Sequence, residues 1–153
     1  QTFSPAHFGH DQVEDHKVGK LVFEGRDRLP PILDDHRRPL KKRGKRDVKE
    51  MGRRLAAHGV EPDVIVSSDA RRAVDTASAV MDALGMVDDR LHLQPALYHA
   101  STSRLRQLVR ELPDACASVM LFGHNPAFTA FANLFLDSPL PNLPTAGIVE
   151  LHF

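Results

Sequence analysis

The stretch 118–126 reads SVMLFGHNP, a short apolar run followed directly by glycine, histidine, asparagine and proline. Continuous apolar runs of this length are typical of strands that are buried on both faces of a parallel sheet. Pro126 stands where a following helix can begin, and we predict that this helix runs to about Leu136. The stretch therefore predicts a strand, a tight connection and a helix, with His124 between the strand and the helix.

The rest of the chain alternates strand and helix patterns in the same way. Strands are predicted at 20–23, 63–67 and 148–153, with a weaker one at 91–93, and helices at 43–58, 70–84 and 101–112. Asp69 is expected to cap the second helix. This alternation predicts an α/β fold, a three-layer sandwich with a largely parallel central sheet and helices on both faces. Residues 1–19 are predicted to form an irregular N-terminal segment and residues 20–153 a single domain.

The composition excludes several function classes. With 153 residues the chain is long enough for one hydrophobic core, and its 20 basic residues are balanced by 20 acidic ones. The balance disfavours nucleic acid as a partner. No apolar run approaches the ~20 residues that span a bilayer, so no membrane partner is expected. Cys116 is the only cysteine, and because no intrachain disulfide is possible we expect a cytoplasmic location and an inert thiol.

The N-terminal segment contains three histidines, His7, His10 and His16, with aspartates between them. A metal site could be drawn from these side chains, since histidine pairs at this spacing bind zinc in other proteins. We favour an irregular lead-in, because residues of ligand type without a framework are common, and we predict no metal.

Two predicted strand ends carry groups suited to an anion. In open α/β sheets, ligands bind beyond the carboxyl ends of the strands. His124 follows one strand and precedes a helix N-terminus, which favours negative charge. Another strand ends at Ser67 and leads into a helix with Arg71 and Arg72 in its first turn. Arginine there opposes the helix dipole but suits phosphate. Spacing alone leaves open which arginine faces the site.

Four motifs, in order along the chain, resemble those of the SixA-type branch of the histidine phosphatase superfamily. DHRRPLKKRG at 35–44 resembles the D-x-x-R-P-L-x-x-R-G stretch of that family, and SSDARRAVDTA at 67–77 is similar to its S-S-x-x-x-R-A-x-x-T-A. GHNP at 123–126 matches G-H-N-P, and LPTA at 143–146 resembles L-P-T-[GA]. The resemblance covers about Leu21 to Phe153, and it implies the same α/β fold.

The resemblance also implies a phosphatase reaction through a phosphohistidine enzyme intermediate. In this family a strand-end R-H-G/A motif supplies the nucleophilic histidine, while a second histidine and two arginines bind the phosphoryl oxygens. When these family roles are transferred to the matching positions of this sequence, Arg72 is the later arginine and His124 is the second histidine. Arg38 is then expected at the rim of the site. No metal or other cofactor is implied, because guanidinium and imidazolium groups neutralise the developing charge. The implied partner is a protein carrying phosphohistidine, or a small phosphoester.

The R-H-G/A motif is not found where it is expected, after Phe23. The sequence there continues Glu24-Gly25-Arg26-Asp27. In the simplest register Glu24 takes the arginine position and Gly25 the histidine position. Shifted by two residues, Arg26 takes the arginine position and becomes a candidate phosphate ligand, with Asp27 in the histidine position. Neither register supplies an imidazole.

Three explanations of this departure stay open. The chain is a pseudo-phosphatase that binds phosphate through Arg72 and His124 without catalysis; or His36 substitutes as the nucleophile; or a segment between Phe23 and Asp34 is misread or missing from this sequence. A purely structural domain is a further hypothesis, but it leaves unexplained why residues of catalytic type stand at two separate strand ends.

Overall fold

One five-stranded sheet organises the chain. The computed structural model describes residues 36–87 and 90–152, together with the backbone of 18–24. The strands are β1 (Val18–Glu24), β2 (Val64–Ser67), β3 (Leu91–Leu93), β4 (Ser118–His124) and β5 (Ile148–His152). Their order is β3-β2-β4-β1-β5. All neighbouring pairs are parallel except β1 and β5, which are antiparallel. The predicted, largely parallel sheet is therefore confirmed.

The helices cover both faces of this sheet. They are α1 (Lys42–Ala57), α2 (Arg71–Leu84), α3 (Thr102–Arg110) and α4 (Ala127–Ala132), with a short 3-10 turn at Pro95–Leu97. Side chains of β4 alternate between two hydrophobic clusters, as the period of a strand requires. Met120 and Phe122 pack into the cluster that contains residues of α1 and α2. Val119 and Leu121 pack into the cluster that contains residues of α3 and α4. The three-layer sandwich is thus confirmed.

A glycine allows α4 to pack directly on the end of β4. A Cβ atom added to Gly123 would lie 2.1 Å from Cε2 and 2.2 Å from Cζ of Phe128. Phe128 belongs to α4 and is fully buried. The aromatic ring therefore occupies the space that any side chain at position 123 would need, and this contact holds the connection containing His124 close to the sheet.

Several element boundaries differ from the predictions. β4 continues through His124 instead of ending at Phe122. β1 begins at Val18, so two residues of the predicted irregular segment lie in a strand. The N-cap of α2 is Ala70 and no side chain caps this helix, so the prediction for Asp69 was wrong. The Asp69 carboxylate contacts a histidine of a neighbouring loop instead.

α4 is shorter than predicted, with six residues, and ends at Ala132. The side chain of Asn133 explains why. Its Nδ2 donates to the carbonyl oxygen of Leu140 (2.9 Å), and its Oδ1 accepts from the Leu140 amide (2.8 Å). These two bonds turn the chain away from the helix axis. So short a helix has only a weak dipole, and its N-terminus therefore attracts an anion less strongly than predicted.

None of the helices in the described ranges has the length and apolar character needed to cross a bilayer. Within the same ranges, no group of three or more His, Cys, Asp or Glu side chains is arranged to hold a metal ion. The three histidines of the N-terminal segment lie outside the described residues. Cys116 is half-buried, and its thiol lies 3.3 Å from the carbonyl oxygen of Ser118.

Candidate functional site

His124 lies at the edge of the sheet where the carboxyl ends of three strands meet. In the parallel pair of β1 and β4, Glu24 is aligned with His124. In the pair of β2 and β4, Ser67 is aligned with Phe122. The ladder continues one step further, because the Ser68 amide donates to the carbonyl oxygen of Phe122 (2.9 Å). The carboxyl end of β1, which immediately precedes the position where the resemblance places a nucleophile, is therefore aligned with His124.

Both ring nitrogens of His124 have hydrogen-bond partners. Nδ1 lies 3.1 Å from Nη2 of Arg72, and Nε2 lies 3.0 Å from Oγ of Ser68. A guanidinium group has donors only, so Nδ1 accepts this bond. The imidazole is then neutral, with its hydrogen on Nε2, and it donates to the Ser68 hydroxyl. With only 9% of its surface exposed, the ring is fixed both in its plane and in its tautomer.

The structure distinguishes the two arginines of α2, which the spacing could not do. Arg72 reaches His124, whereas Nε of Arg71 lies 3.2 Å from Oδ1 of Asp75 at the surface, where 65% of the Arg71 side chain is exposed. The backbone of Arg72 is held as well, since Thr76 Oγ1 donates to its carbonyl oxygen (2.8 Å). The candidate site therefore contains one guanidinium beside one imidazole, those of Arg72 and His124.

Tyr98 forms a wall beside this pair. Its half-buried ring meets the His124 ring edge-on, with centroids 5.5 Å apart at an interplanar angle of 85°. It also contacts the rings of His36 (4.7 Å) and His99 (4.2 Å). Cζ of Arg72 lies 6.0 Å from its centroid, at the outer limit of a cation–π contact. Tyr98 and Ser68 are site residues to which the sequence analysis gave no role.

His36 belongs to a loop that is fastened to the start of α2. Its Nε2 lies 2.9 Å from Oδ1 of Asp69, and its carbonyl oxygen accepts from the Arg71 amide (2.9 Å). The Leu40 amide donates to Asp75 Oδ2 at 3.3 Å. Through Tyr98, this loop borders the same site as His124. The role of His36 as a substitute nucleophile stays a prediction.

Two further phosphate ligands, Arg38 and Arg26, were predicted from the sequence. Arg38 is half-buried, and within the described part of the chain it has no hydrogen bond or ion pair with Arg72 or His124, so its place at the rim stays a prediction. Arg26 lies outside the described residues, as do Gly25 and Asp27. Of the four predicted phosphate ligands, the structure thus brings two into contact.

Asn125 connects the GHNP motif at 123–126 with the LPTA motif at 143–146. Its Oδ1 accepts from the amide (3.2 Å) and the hydroxyl (2.7 Å) of Thr129. Its Nδ2 donates to Asn142 Oδ1 (3.1 Å) and to the carbonyl oxygen of Leu143 (2.9 Å). Thr129 Oγ1 in turn accepts from the Leu143 amide (3.1 Å). The asparagine that follows His124 therefore fixes the turn against the loop that contains LPTA.

We expect Asn125→Asp to destabilise the protein by about 2 kcal/mol, because the carboxylate keeps the acceptor for Thr129 but loses both donors and faces a carbonyl oxygen. The measurement is urea-induced unfolding of both proteins. Asn142→Ala removes only the exposed partner and should change the free energy of unfolding by less than about 0.5 kcal/mol. Equal stability of Asn125→Asp and the parent would show that the amide donors contribute nothing.

A cavity of about 340 Å³ opens beside His124. It lies between the segment that follows the 3-10 turn and the turn that joins β4 to α4. Its described lining consists of Tyr98, His99, Ala100, Ser101, Thr102, His124, Asn125, Pro126, Ala127 and Ala130. The imidazole of His124 thus borders both the arginine side of the site and this cavity.

Comparisons with known proteins found a matching family model and a curated relative. Residues 34–98 match the sequence model of the histidine phosphatase superfamily (branch 1). An uncharacterised chloroplast protein of Arabidopsis thaliana is 28% identical over 111 residues, which cover 67% of this chain and 50% of that protein. The chain therefore spans about half the length of this curated relative.

Solved structures resemble most of the chain. A candidate phosphohistidine phosphatase SixA of Agrobacterium tumefaciens superposes with a TM-score of 0.78 at 24% identity, covering 91% of this chain and 93% of that one. A protein histidine phosphatase SixA in complex with tungstate gives 0.67 at 22% identity, covering 87% and 86%. A phosphoglycerate mutase of Bacillus anthracis gives 0.69 at 13% identity, covering 91% and 89%. Residues 34–98 thus carry the sequence pattern of the histidine phosphatase superfamily, and the chain has the fold of that superfamily.

Proposed function

We propose that this chain is a phosphatase that removes phosphate from phosphohistidine in a protein. The observation that carries the proposal is the contact between Arg72 and His124 at the strand ends. A guanidinium fork beside an imidazole, at an edge where backbone amides and strand ends converge, is suited to a phosphoryl group. The likeness to the SixA structures supports the choice of phosphohistidine as substrate.

In the proposed reaction a nucleophilic imidazole nitrogen attacks phosphorus, and the bond from phosphorus to the nitrogen of the substrate breaks. The electron pair of that bond goes to the leaving imidazole, which takes up a proton. Water then cleaves the phosphoenzyme and releases phosphate. Arg72 donates to the phosphoryl oxygens throughout, and His124, once its Nδ1 takes up a proton in place of the bond from Arg72, donates from Nδ1 while its Nε2 stays on Ser68. Both act by stabilising charge that develops in the transition state.

A second candidate function is a phosphate-binding pseudo-phosphatase. It is favoured by one specific observation, the absence of histidine from Glu24-Gly25-Arg26-Asp27, where the family motif is expected. Glycine or aspartate cannot form the phosphohistidine intermediate, so covalent catalysis would need His36 or a residue absent from this sequence. In this alternative Arg72 and His124 recognise a phosphorylated partner and the phosphate stays on it.

Hydrolysis of a phosphohistidine protein by a preparation of verified mass tests the proposal. We expect phosphate release, and a trapped phosphoenzyme whose label maps by mass spectrometry to a histidine, with His36 as the candidate within this sequence. No release, combined with tungstate shifts of the His124 ring signals in NMR spectra, would favour the pseudo-phosphatase. Neither release nor tungstate shifts would contradict both functions.

The remaining parts of the proposal concern the partner and the location. A phosphorylated protein is the proposed partner, because an open cavity beside the site leaves room for a side chain presented on a larger surface. The cytoplasmic location rests on the single cysteine and stays a prediction, as does the single domain from residue 20 to 153.

A further inference from the structure

The cavity of about 340 Å³ is bordered by His124, the same residue that contacts Arg72. The two ring nitrogens of His124 face Arg72 and Ser68, and the proposed function places the phosphoryl group beside Arg72. The cavity extends from the same imidazole along Tyr98 and His99. Its chemistry therefore bears on which groups can be attached to the phosphate.

Two polar side chains of the lining, those of Ser101 and Asn125, are engaged within the protein. Ser101 is the N-cap of α3, and its hydroxyl accepts from the Arg104 amide (3.2 Å) and lies 2.7 Å from Oγ of Ser103. Asn125 already makes two bonds through Oδ1 and two through Nδ2. Among the described lining residues there is no Asp, Glu, Lys or Arg, and three are alanines. A charged group that entered would lose its water without meeting an Asp, Glu, Lys or Arg side chain of opposite charge in the described lining.

We propose that this cavity is a subsite for an uncharged planar ring attached to phosphate, such as the imidazole of phosphohistidine or a phenyl group. Tyr98 and His99 offer ring faces and edges, which attract aromatic groups. The alanines offer apolar surface, and His99 can pair with a ring nitrogen. A volume of about 340 Å³ is at the small end of ligand pockets and suits one side chain. The inference rests on the phosphate site of the proposed function.

Phosphonates, which are not hydrolysed, test the subsite without requiring catalysis. Competition against inorganic phosphate, followed by calorimetry and by His124 ring signals in NMR spectra, gives their relative affinities. We expect phenylphosphonate to bind about tenfold more tightly than methylphosphonate, because its ring leaves water. Phosphonoacetate, which carries a carboxylate, should gain nothing over methylphosphonate. Equal binding of the phenyl and methyl compounds, tighter binding of phosphonoacetate, or no binding of any of them would overturn the inference.

A charge placed in the cavity wall should reverse the preference. Ala130 is exposed on α4 and lines the cavity. In Ala130→Arg the affinity ratio of phosphonoacetate to phenylphosphonate should rise about tenfold, since the guanidinium pairs with the carboxylate. Ala115→Arg is the matched control. Ala115 is also exposed, but it precedes the amino end of β4, whereas the cavity lies at the carboxyl end of that strand. An unchanged ratio in Ala130→Arg, or the same rise in both variants, would overturn the proposed subsite.

The subsite and the proposed function can fail separately. Tight binding of phenylphosphonate without any hydrolysis of phosphohistidine would support the ring subsite and contradict the phosphatase. Hydrolysis without a preference for the phenyl ring would support the phosphatase and contradict the subsite. Peptides of one sequence that carry either phosphohistidine or phosphotyrosine, compared in the same binding assay, then show which ring the subsite prefers. Weaker binding of both than of inorganic phosphate would count against the subsite.

Discussion

Arg72→Ala is expected to lower the rate of phosphohistidine hydrolysis by about 10²- to 10³-fold. Losses of this size are typical when one preorganised donor to a developing negative charge is removed. The guanidinium of Arg72 lies 3.1 Å from His124, so its loss also removes the group that fixes the imidazole plane. Arg72→Lys keeps the charge but not the planar fork, and we expect it to recover only a small part of the rate. Steady-state phosphate release measures both variants.

Arg71→Ala provides a matched control for this prediction. The two arginines are neighbours in the first turn of α2, but Arg71 pairs with Asp75 at the surface. Its removal should leave the rate within about twofold of the parent, since exposed ion pairs of this kind contribute little. If both variants lose activity equally, Arg72 is not a phosphate ligand. If the protein binds phosphate without hydrolysing it, the same comparison applies to the dissociation constant for tungstate.

Gly123→Ala is expected to destabilise the protein by about 3 kcal/mol, because overpacking of a buried contact forces neighbouring groups to shift. The new Cβ would lie 2.1 Å from a carbon of the Phe128 ring, which is fully buried and cannot turn into solvent. Because residue 123 immediately precedes His124, the displacement should also weaken phosphate binding. Chemical denaturation measures the first effect and tungstate titration the second.

A double-mutant cycle isolates this clash. Phe128→Ala alone removes a fully buried ring and should cost several kcal/mol. In that background the additional change Gly123→Ala should cost less than about 1 kcal/mol, because the ring that opposed it is gone. The cycle works even if Gly123→Ala does not fold by itself, since the double variant can be compared with Phe128→Ala. Equal costs in both backgrounds would contradict the proposed clash.

The sequence was sufficient to predict the fold, because its strands are short apolar runs separated by helices with one apolar face. It was insufficient where a side chain had two possible partners. Asp69 has the residue type and position of a helix cap, but its carboxylate binds His36, which lies 33 residues earlier in the chain. The helix after Pro126 was predicted to continue through apolar residues, but the hydrogen bonds of Asn133 with Leu140 end it. Such pairings between distant residues leave no local pattern.

In the candidate site, too, the sequence predicted residues but not the contacts between distant parts of the chain. The motifs predicted His124 and Arg72, and the structure shows that the guanidinium of Arg72 and not that of Arg71 meets the imidazole. Ser68 was visible as the second serine of a motif, yet its bond to His124 depends on the pairing of β2 with β4. Tyr98 belongs to none of the four motifs. Its contacts arise because the chain returns to the sheet edge after β3, which the sequence pattern does not specify.

The continuous ladder from β2 to β4 has a consequence for the entropy of binding. Ser68 directly follows β2 and His124 is the last residue of β4, and the Ser68 amide is itself bonded to Phe122 of β4. Their separation is therefore set by backbone hydrogen bonds that form when the protein folds. Loops that must order around a ligand lose conformational freedom at each binding event. Here that loss of conformational freedom occurs once, during folding. An anion that binds at His124 therefore meets residues that are already ordered, and its binding costs little further conformational entropy.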